Sequence, residues 1–414
     1  MSTQTTDSSL FDAVVVGAGP AGIATALALA HVGAKVALAG PPPPMVATAR
    51  PETRTAALLT SSVDFLKRLG VWEPLLPHAA PLTAIRIVDS SRSLLRSPEI
   101  MFEARELGLE AFGYNIANSA LSEVLYARAQ DAVAHLAPQA IERVTTGTSE
   151  AVLTLAEGTH LVTRLVAGAD GRNSPCRKAA NIETRIQRYD QSAIASSFRH
   201  TISHGGVSTE LHREGGSVTC VPTPDPLTSS LVLVGSTAEV DALMTMDERD
   251  FAAHLQERFG ETLGVLSDVG PRAAFPVAGL TAKRLASNRT ALIGEAAHVM
   301  APIGAQGLNL GLRDAAALAD CVTDALVQGR DPGEPYILAQ YEQARQLDVL
   351  SRTIGIDLLD RSLLTNVLPI QLARGAVIAG LNRLAPLKRL VMQAGLAPPV
   401  SLPRLMRPLE TAPA

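Results

Sequence analysis

The chain contains few aromatic residues and few cysteines. Aromatic residues make up 3% of the 414 residues, Trp72 is the only tryptophan, and hydrophobic residues make up 47%. The core must therefore be aliphatic and alanine-rich, and the length suffices for two domains and a terminal extension. Cys176, Cys220 and Cys321 are odd in number and lack the spacing of a metal site. We therefore expect buried, inert thiols and a reducing cytoplasm.

Charged residues are unevenly distributed. No Lys or Arg precedes Lys35, so we expect neither a secretory signal nor an Arg-rich transit peptide. The net charge of −4 argues against a nucleic-acid partner. Residues 361–409 contain no acidic residue and seven basic ones, namely Arg361, Arg374, Arg383, Lys388, Arg389, Arg404 and Arg407. Two interpretations stay open: a basic amphipathic segment attracted to anionic lipid, or a docked helix with a solvated basic face.

A glycine-rich turn lies near the amino terminus. Residues 12–16 form an apolar, β-branched run that predicts a strand, and the small residues 24–30 predict a helix. Between them lies Gly17-Ala18-Gly19-Pro20-Ala21-Gly22. In this pattern Gly17 permits a tight turn, Gly19 lets backbone approach a pyrophosphate, and Gly22 lets the helix pack on the strand. The helix start would present free N–H groups to the phosphates of a dinucleotide.

Two distant segments share the same physical role. One is Gly168-Ala169-Asp170-Gly171-Arg172-Asn173-Ser174, and the other is Ala291-Leu292-Ile293-Gly294-Glu295-Ala296-Ala297-His298. Together the three motifs predict that the chain holds FAD by its phosphates and its polyol chain. One part of the dinucleotide pattern is missing. After the second predicted strand, Gly40 stands where an acidic residue usually holds the adenosine ribose.

The order of the predicted elements indicates an α/β fold with one domain inserted into another. Short strands punctuated by Gly and Pro over 185–280 predict an antiparallel sheet, and the dinucleotide fold resumes after Asn288. We expect a Rossmann-like FAD domain, an inserted antiparallel-sheet substrate domain and a C-terminal helical segment. The predicted FAD domain comprises 11–80, 112–184 and 285–350, the substrate domain 81–111 and 185–284, and the helical region 351–414.

Further segments extend the pattern over nearly the whole chain: 54–58, 69–72, 118–125, 275–276, 302–309 and 386–392. In this order they resemble the class A FAD-dependent aromatic hydroxylases, and within them the ubiquinone-biosynthesis hydroxylase family. The resemblance implies a monooxygenase that uses O2 to hydroxylate the aromatic ring of a polyprenylated phenol. The oxygen would be delivered by a flavin C4a-hydroperoxide, with the protein supplying orientation, dryness and electrostatics. No catalytic side chain and no metal is expected.

The resemblance also implies a set of cofactor contacts. They are expected from Gly17, Ala18, Gly19, Pro20, Ala21, Gly22, Arg54, Asp170, Glu295, Pro302, Gly307, Leu308 and Asn309. Pro302 would face the reacting side of the flavin, and the backbone of Leu308 and Asn309 would contact the ring edge. The helix starting near Gln306 would direct its N–H groups to that edge, where reduced flavin carries negative charge.

The partners follow from the same resemblance. A polyprenylated phenol lives in the bilayer, so the expected place is the cytoplasm, peripheral on the inner face of the cytoplasmic membrane, with other quinone-biosynthesis proteins nearby. The reductant stays open between NADPH, NADH and a protein electron donor, because the sequence contains no separate nicotinamide-binding fold.

Several positions depart from the family pattern. Glu295 stands where the family usually has Asp, Ser119 where it often has Arg, and Gly304-Ala305 reverses two small residues. With Gly40, these departures support an alternative, a weakly FAD-binding scaffold subunit of a biosynthetic complex. A second alternative is a hydroxylase of a small soluble aromatic, although Tyr, Trp and His are sparse. A flavin halogenase is excluded because its tryptophan-rich motif is absent.

Four polar residues outside the motif contacts are not expected to act. His31 and His298 are predicted to fill core or surface positions without partners. Arg313 and Asp314 are predicted to form ion pairs on the surface of a helix.

Overall fold

A computed structural model describes residues 10–44, 53–90, 98–213, 215–301, 306–364, 380, 383–396 and 401–409. The strands are β1 (Phe11–Val16), β2 (Val36–Ala39), β3 (Thr55–Leu59), β4 (Ala79–Pro81), β5 (Ala84–Asp89), β6 (Ile100–Glu103), β7 (Gly113–Ala117), β8 (His135–Ala137), β9 (Ile141–Thr146), β10 (Ala151–Leu155), β11 (His160–Gly168), β12 (Thr184–His200), β13 (Val207–Arg213), β14 (Gly216–Pro222), β15 (Thr228–Ser236), β16 (Leu266–Ser267), β17 (Ala273–Ala282), β18 (Ala286–Ser287), β19 (Thr290–Leu292) and β20 (His298–Val299). The α-helices are α1 (Pro20–His31), α2 (Thr60–Arg68), α3 (Trp72–Leu75), α4 (Asn118–Ala132), α5 (Pro175–Ala179), α6 (Thr237–Thr245), α7 (Glu248–Phe259), α8 (Gln306–Val327), α9 (Pro335–Leu364) and α10 (Ala385–Leu396).

The first sheet has a parallel centre in the order β19-β11-β1-β2-β8. The short strand β18 and the β9–β10 hairpin extend it by antiparallel pairing. Helix α1 packs against α4 and α8. Strands β1 and β2 are almost wholly buried, as expected for apolar runs in a sheet covered on both faces. This is the predicted Rossmann-like dinucleotide fold.

The second sheet has the order β20-β17-β12-β15-β14-β13-β5-β6. Its pairs are antiparallel except for β5 and β13, which run parallel. Side chains alternate along β12, so Ile194 and Phe198 pack with Phe251 and Leu255 of α7, whereas Ala193 lies on the opposite face with Val234 and Ala301. The predicted antiparallel insertion is confirmed. Helices α6 and α7 within it were not predicted.

A small third sheet, β3-β7-β4, joins the two larger ones. Thr55 Oγ1 lies 3.0 Å from Ser230 Oγ of β15, and Asn115 Nδ2 donates to the Pro222 carbonyl at 2.8 Å. These bonds hold the second sheet against the edge of the dinucleotide fold.

The described part of the carboxyl-terminal segment is mostly helical, in agreement with the prediction: α9 runs to Leu364 and α10 spans Ala385–Leu396, whereas 401–409 contain one short 3₁₀ turn. Met392 of α10 packs on Ala104 and Phe112, and Lys388 pairs with Glu106 at 2.6 Å. In the described parts of the chain, no helix combines the length and the apolar character needed to cross a bilayer.

Candidate cofactor and substrate site

The glycine turn after β1 is shaped by its own packing. Gly17 has φ +108°, and a Cβ there would overlap the carbonyl oxygen of Ala169. A Cβ on Gly22 would overlap the carbonyl oxygen of Gly17. A Cβ on Gly19 would meet no atom of the described residues within 4 Å, so these residues leave the space in front of Gly19 open. Gly17 and Gly22 are therefore required by backbone packing, whereas Gly19 faces a space that a ligand can enter.

The second motif lies directly against this turn. The Ala169 N–H donates to the Val16 carbonyl at 2.8 Å, which places Asp170 beside the end of β1. Asp170 Oδ2 accepts the backbone N–H of Cys176 at 2.9 Å and caps the turn that follows. Asp170 Oδ1 is buried and has no hydrogen-bond partner among the described residues. Burial, and then the Asp170 charge, raise the pKa of the Cys176 thiol, so this cysteine is an inert thiol.

The third motif closes the same edge of the first sheet. The Ile293 N–H donates to the Gly168 carbonyl at 2.9 Å. Gly294 has φ +57°, and it lies so close to Gly311 of α8 that a Cβ on Gly311 would be 3.3 Å from Gly294 Cα. The same Cβ would be 3.3 Å from the Ala21 side chain of the first motif. The three motifs therefore meet at the carboxyl edge of the parallel strands, where α/β folds bind ligands.

The remaining predicted site residues lie around this edge in different ways. Glu295 is exposed within a short 3₁₀ turn, and Arg54 is exposed just before β3. Gly307 and Leu308 belong to the first turn of α8, and a Cβ on Gly307 would meet none of the described atoms of the protein within 4 Å. Pro302, Gly304 and Ala305 lie outside the described residues. The β19 strand ends at Leu292, and Gly294 leaves the extended conformation two residues later.

Asn309 has a role that sequence reasoning missed. Its side chain is fully buried and bonds to the segment that joins β3 to α2. Oδ1 accepts from the Leu59 N–H at 2.9 Å and from Ser62 Oγ at 2.7 Å, and Nδ2 donates to the Ala57 carbonyl at 2.8 Å. The side chain thus fixes the start of α8 against β3, and only the backbone of Asn309 is left for the predicted flavin contact.

Arg177 connects two of the motifs and was not predicted. Its guanidinium donates to the Ala296 carbonyl at 2.7 Å and to the Arg172 carbonyl at 2.8 Å. Its backbone N–H is capped by Ser174 Oγ at 2.8 Å. The only local signal is that Arg177 lies three residues after Ser174, a helix N-cap residue, which predicts the backbone bond between them. No local pattern predicts the bond to the Ala296 carbonyl, which is distant in the sequence.

Three predictions about polar residues near the motifs are wrong in part: Arg313 and Asp314 do form ion pairs and His298 does lie in the core, but the pairs are not on the surface and His298 does have a partner. Arg313 and Asp314 are buried in α8, with 0% and 1% exposure, and form no surface pairs. His298 is also buried and has a partner, because its Nε2 lies 2.7 Å from Asp314 Oδ2. Arg313 donates to both carboxylate oxygens of Asp348 in α9, at 2.9 and 2.7 Å. These contacts were not predicted because they depend on how α9, the helix that follows α8, packs against it.

Asp314 holds the third motif in place. Its Oδ2 accepts the Gly294 N–H at 3.0 Å, and its Oδ1 accepts from Arg345 Nε at 2.7 Å. Burial raises the pKa of the Asp314 carboxyl, but His298 and Arg345 outweigh it and bring the pKa below its usual value. The side chain is therefore a buried carboxylate that fixes the backbone before Glu295.

The ionic cluster continues from Asp314 to the start of α8. Arg345 Nη1 donates to Asp348 Oδ2 at 2.8 Å, and Arg352 Nε lies 3.6 Å from Asp348 Oδ1. Arg352 Nη1 then donates to Gln306 Oε1 at 3.2 Å and to the Gly395 carbonyl of α10 at 2.9 Å. One guanidinium thus contacts both the first residue of α8 and the C-terminal helix.

The site suits a dinucleotide, with one departure that the structure explains. The open spaces before Gly19 and Gly307 and the unpaired Asp170 Oδ1 are features that a bound polar ligand would fill. Asn118 Oδ1, at the start of α4 and next to the Arg54 backbone, is likewise buried without a partner among the described residues. At Gly40, φ is +139° and a Cβ would lie 3.3 Å from Gly17 Cα. The backbone here therefore disfavours the missing ribose-binding carboxylate.

An apolar sheet face lies beside the cofactor edge. Ala193, Val234, Val277 and Ala301 form a buried cluster with the partly buried side chains of Tyr189, Val232 and Phe275. Ala301 directly precedes Pro302, the residue expected at the reacting side of a flavin. This part of the second sheet is therefore apolar and largely closed to water. In the described parts of the chain, His, Cys, Asp and Glu side chains form no cluster suited to a metal ion.

Comparisons with known proteins agree with this geometry. A family model for the FAD binding domain matches residues 11–351. The ubiquinone hydroxylase UbiL of Rhodospirillum rubrum is 34% identical over 92% of this chain and 88% of its own. The ubiquinone hydroxylase UbiM of Neisseria meningitidis is 30% identical over 92% of this chain and 83% of its own. The crystal structure of p-nitrophenol 4-monooxygenase PnpA from Pseudomonas putida shares the fold, with a TM-score of 0.77, 18% identity and coverage of 95% of this chain and 100% of that chain. The chain belongs to the ubiquinone-hydroxylase family of FAD-dependent monooxygenases.

Proposed function

We propose that this protein hydroxylates the aromatic ring of a polyprenylated phenol on the route to ubiquinone, with FAD as cofactor. The observation that carries the proposal is the meeting of three motifs at one sheet edge, directly beside an apolar face of the second sheet. The named activities of UbiL and UbiM support ring hydroxylation of a quinone precursor.

FAD, when bound, would supply the oxygen chemistry, in which one atom of O2 is transferred to an electron-rich ring. We expect the backbone around Gly19 and the start of α1 to bind the pyrophosphate, since helix starts attract anions. Glu295 and Asp170 would bind the polyol chain and the ribose region. The start of α8 at Gly307 and Leu308 would stabilise negative charge on the ring edge. The chain itself thus binds, orients and excludes water.

The apolar face favours a lipophilic substrate over a small soluble aromatic. Small aliphatic side chains such as Ala193, Val234 and Val277 bury surface without offering ionic partners to a charged phenol. These side chains take no part in the electrophilic chemistry, which the cofactor would supply. The substrate ring would be oriented by only a few polar contacts.

Complementation tests the assignment directly. The gene would be expressed in strains that each lack one ring-hydroxylation step, and the accumulated quinone precursor would be measured. We expect rescue of at least one strain. A Gly19→Ala variant serves as a matched control, because it should fold and yet bind FAD poorly. Rescue of no strain by the wild-type chain would contradict the quinone assignment.

The reductant and the scaffold alternative are tested with the purified protein. We propose that NADPH or NADH reduces the flavin directly, so O2-dependent oxidation of one of them should accelerate when a prenylated phenol is added. Oxidation of neither would favour a protein donor. The Gly40 backbone supports the scaffold alternative, since it lacks the usual ribose ligand. Near-complete FAD occupancy after purification would contradict the scaffold, and failure to bind added FAD would contradict the enzyme.

We also propose that the C-terminal helix contacts the cytoplasmic membrane surface, where the substrate resides. Leu387, Leu390 and Val391 of α10 are 42%, 63% and 41% exposed, and Arg389 is exposed beside them. An amphipathic helix with outward Leu and Arg side chains binds anionic lipid through apolar burial and charge. Lys388 and Arg404 do not add to this charge freely, because each is paired within the chain.

Flotation with vesicles of phosphatidylglycerol and phosphatidylcholine tests this surface. We expect the wild-type protein to float and a Leu390→Gln, Arg389→Gln double variant to bind several-fold less. A Gln393→Ala variant, at another exposed position of the same helix, should float like the wild type. Equal flotation of all three proteins would remove the membrane proposal and leave the hydroxylase proposal intact.

A further inference from the structure

Gln191 is a buried polar side chain without a partner. Its residue is 6% exposed, and neither Nε2 nor Oε1 has a hydrogen-bond partner among the described residues. An amide that is enclosed and unpaired destabilises the folded protein, because it loses its bonds to water and gains none. Native proteins keep such groups rarely, and each one calls for an explanation.

The strand register places Gln191 on the apolar face beside the cofactor edge. Residues of one face alternate along a strand, and both Tyr189 and Ala193 belong to the cluster that contains Ala301. Pairing with β15 is regular from Gln191 to Arg199, so Gln191, two residues before Ala193, shares the face of Ala193. The neighbouring Ser192 points the other way, since its Oγ lies 3.4 Å from Thr237 Oγ1 of α6. Gln191 is thus a polar group within an otherwise apolar lining.

The backbone at Gln191 is also irregular. The pairing of β12 with β17 shifts between Arg188 and Ser192, whereas Gln191 keeps its pairing with Ser236 of β15. Such bulges re-aim side chains and occur often beside active sites. The bulge therefore gives Gln191 a position that regular pairing on both sides would not give.

We propose that Gln191 recognises an oxygen substituent of the substrate ring; this inference rests on the proposed function. The side-chain Oε1 would accept a hydrogen bond from a ring hydroxyl, and Nε2 would donate to a hydroxyl, methoxyl or carbonyl oxygen. A neutral amide cannot take up the phenolic proton at neutral pH, so its role is to orient the ring. The side chain has three rotatable torsions before its amide and can turn toward a ring that enters the apolar face.

The test compares two ligands that differ by one oxygen. The FAD-loaded protein would be titrated in detergent micelles with 2-geranylphenol and with geranylbenzene, and binding would be followed by the flavin absorbance. The wild type should prefer the phenol about tenfold, the value of one hydrogen bond to a group otherwise unpaired. In Gln191→Met, which is close in volume, the preference should fall to about one. Its apoprotein should also unfold at a higher temperature, because the unpaired amide is gone.

Controls separate this inference from the proposed function. Ser192→Ala, one residue away on the opposite face, should keep the tenfold preference, and FAD affinity should be unchanged in all variants. A second substitution, Gln191→Leu, guards against poor packing of Met. If both Gln191 variants keep the wild-type preference, the inference is overturned and the hydroxylase proposal stands. If the wild type binds the two ligands equally, the inference is also overturned, whereas the proposed function depends on the separate complementation test.

Discussion

Replacement of Asp314 by Asn should destabilise the protein far more than its conservative chemistry suggests. The carboxylate is 1% exposed and accepts hydrogen bonds from the Gly294 N–H, His298 and Arg345. Asparagine removes the charge, and its NH₂ group would face one of these donors. The buried positive charge of Arg345 would then be balanced by Asp348 alone, in a site shielded from water.

The expected cost follows from that burial. Breaking one partner of a buried ion pair costs about 3–5 kcal/mol, because the remaining charge stays uncompensated. Asp324→Asn is the matched control on the same helix, since Asp324 pairs with Arg404 but is 51% exposed. An exposed pair contributes about 0–1 kcal/mol. Each variant differs from the wild type by the loss of one carboxylate. Comparing them therefore separates the effect of burial on stability from the effect of removing a charge.

Denaturant unfolding of the apoprotein measures both costs. Since the pKa of Asp314 is lowered in the folded state, its contribution is complete above the usual carboxyl pKa of about 3.9. It is lost as the pH falls through the lower folded pKa. The difference between wild type and Asp314→Asn should therefore persist from pH 7 to pH 5 and shrink below about pH 4. A cost at pH 7 no larger than that of Asp324→Asn would refute this reasoning.

Three further predictions concern the cofactor edge. Gly22→Ala should lower the thermal midpoint of the apoprotein, because its Cβ overlaps backbone, whereas Gly19→Ala should keep the midpoint and weaken FAD binding at least about tenfold in a fluorescence titration. Equal effects of the two substitutions on stability would contradict the assignment of the open space. Arg177→Ala should lower the free energy of unfolding by about 3 kcal/mol, since it leaves two carbonyls without a charged donor, and an unchanged denaturation midpoint would count against it. Arg352→Ala should speed hydrogen exchange in the first turn of α8, while Arg404→Ala, which affects a surface contact of that helix, should not.

Most of the fold, apart from α6 and α7, was predicted from the sequence because its signals are local. The turn at Gly17 and Gly22 needs glycine for backbone reasons that any strand–turn–helix shares, and the short strands over 185–280 carry their own turn residues. The meeting of the three motifs was also predictable, since each follows a parallel strand, and parallel strands end at one edge.

The parts that were not predicted depend on tertiary contacts between elements. Arg313 and Asp314 carry charge, which usually marks a solvent-facing position, and only the packing of α9 on α8 reveals their burial. The one available hint was that Arg345 and Asp348, three residues apart on α9, carry charges complementary to those of Asp314 and Arg313. Likewise, no local pattern shows that Gln191 lies unpaired, because that depends on strands from three parts of the chain.

The guanidinium of Arg352 has a practical consequence for work with this protein. It bonds to Gln306 at the start of α8 and to the backbone of Gly395 in α10, so one side chain links the C-terminal helix to the expected flavin-binding turn. Purification tags or deletions in the C-terminal segment can therefore disturb FAD binding, although this segment is far in sequence from the three cofactor motifs. If a variant truncated before α10 loses its flavin colour, the lost bond between Arg352 and Gly395 can account for it. Point substitutions on the outer surface of α10 therefore test membrane contact more directly than truncation does.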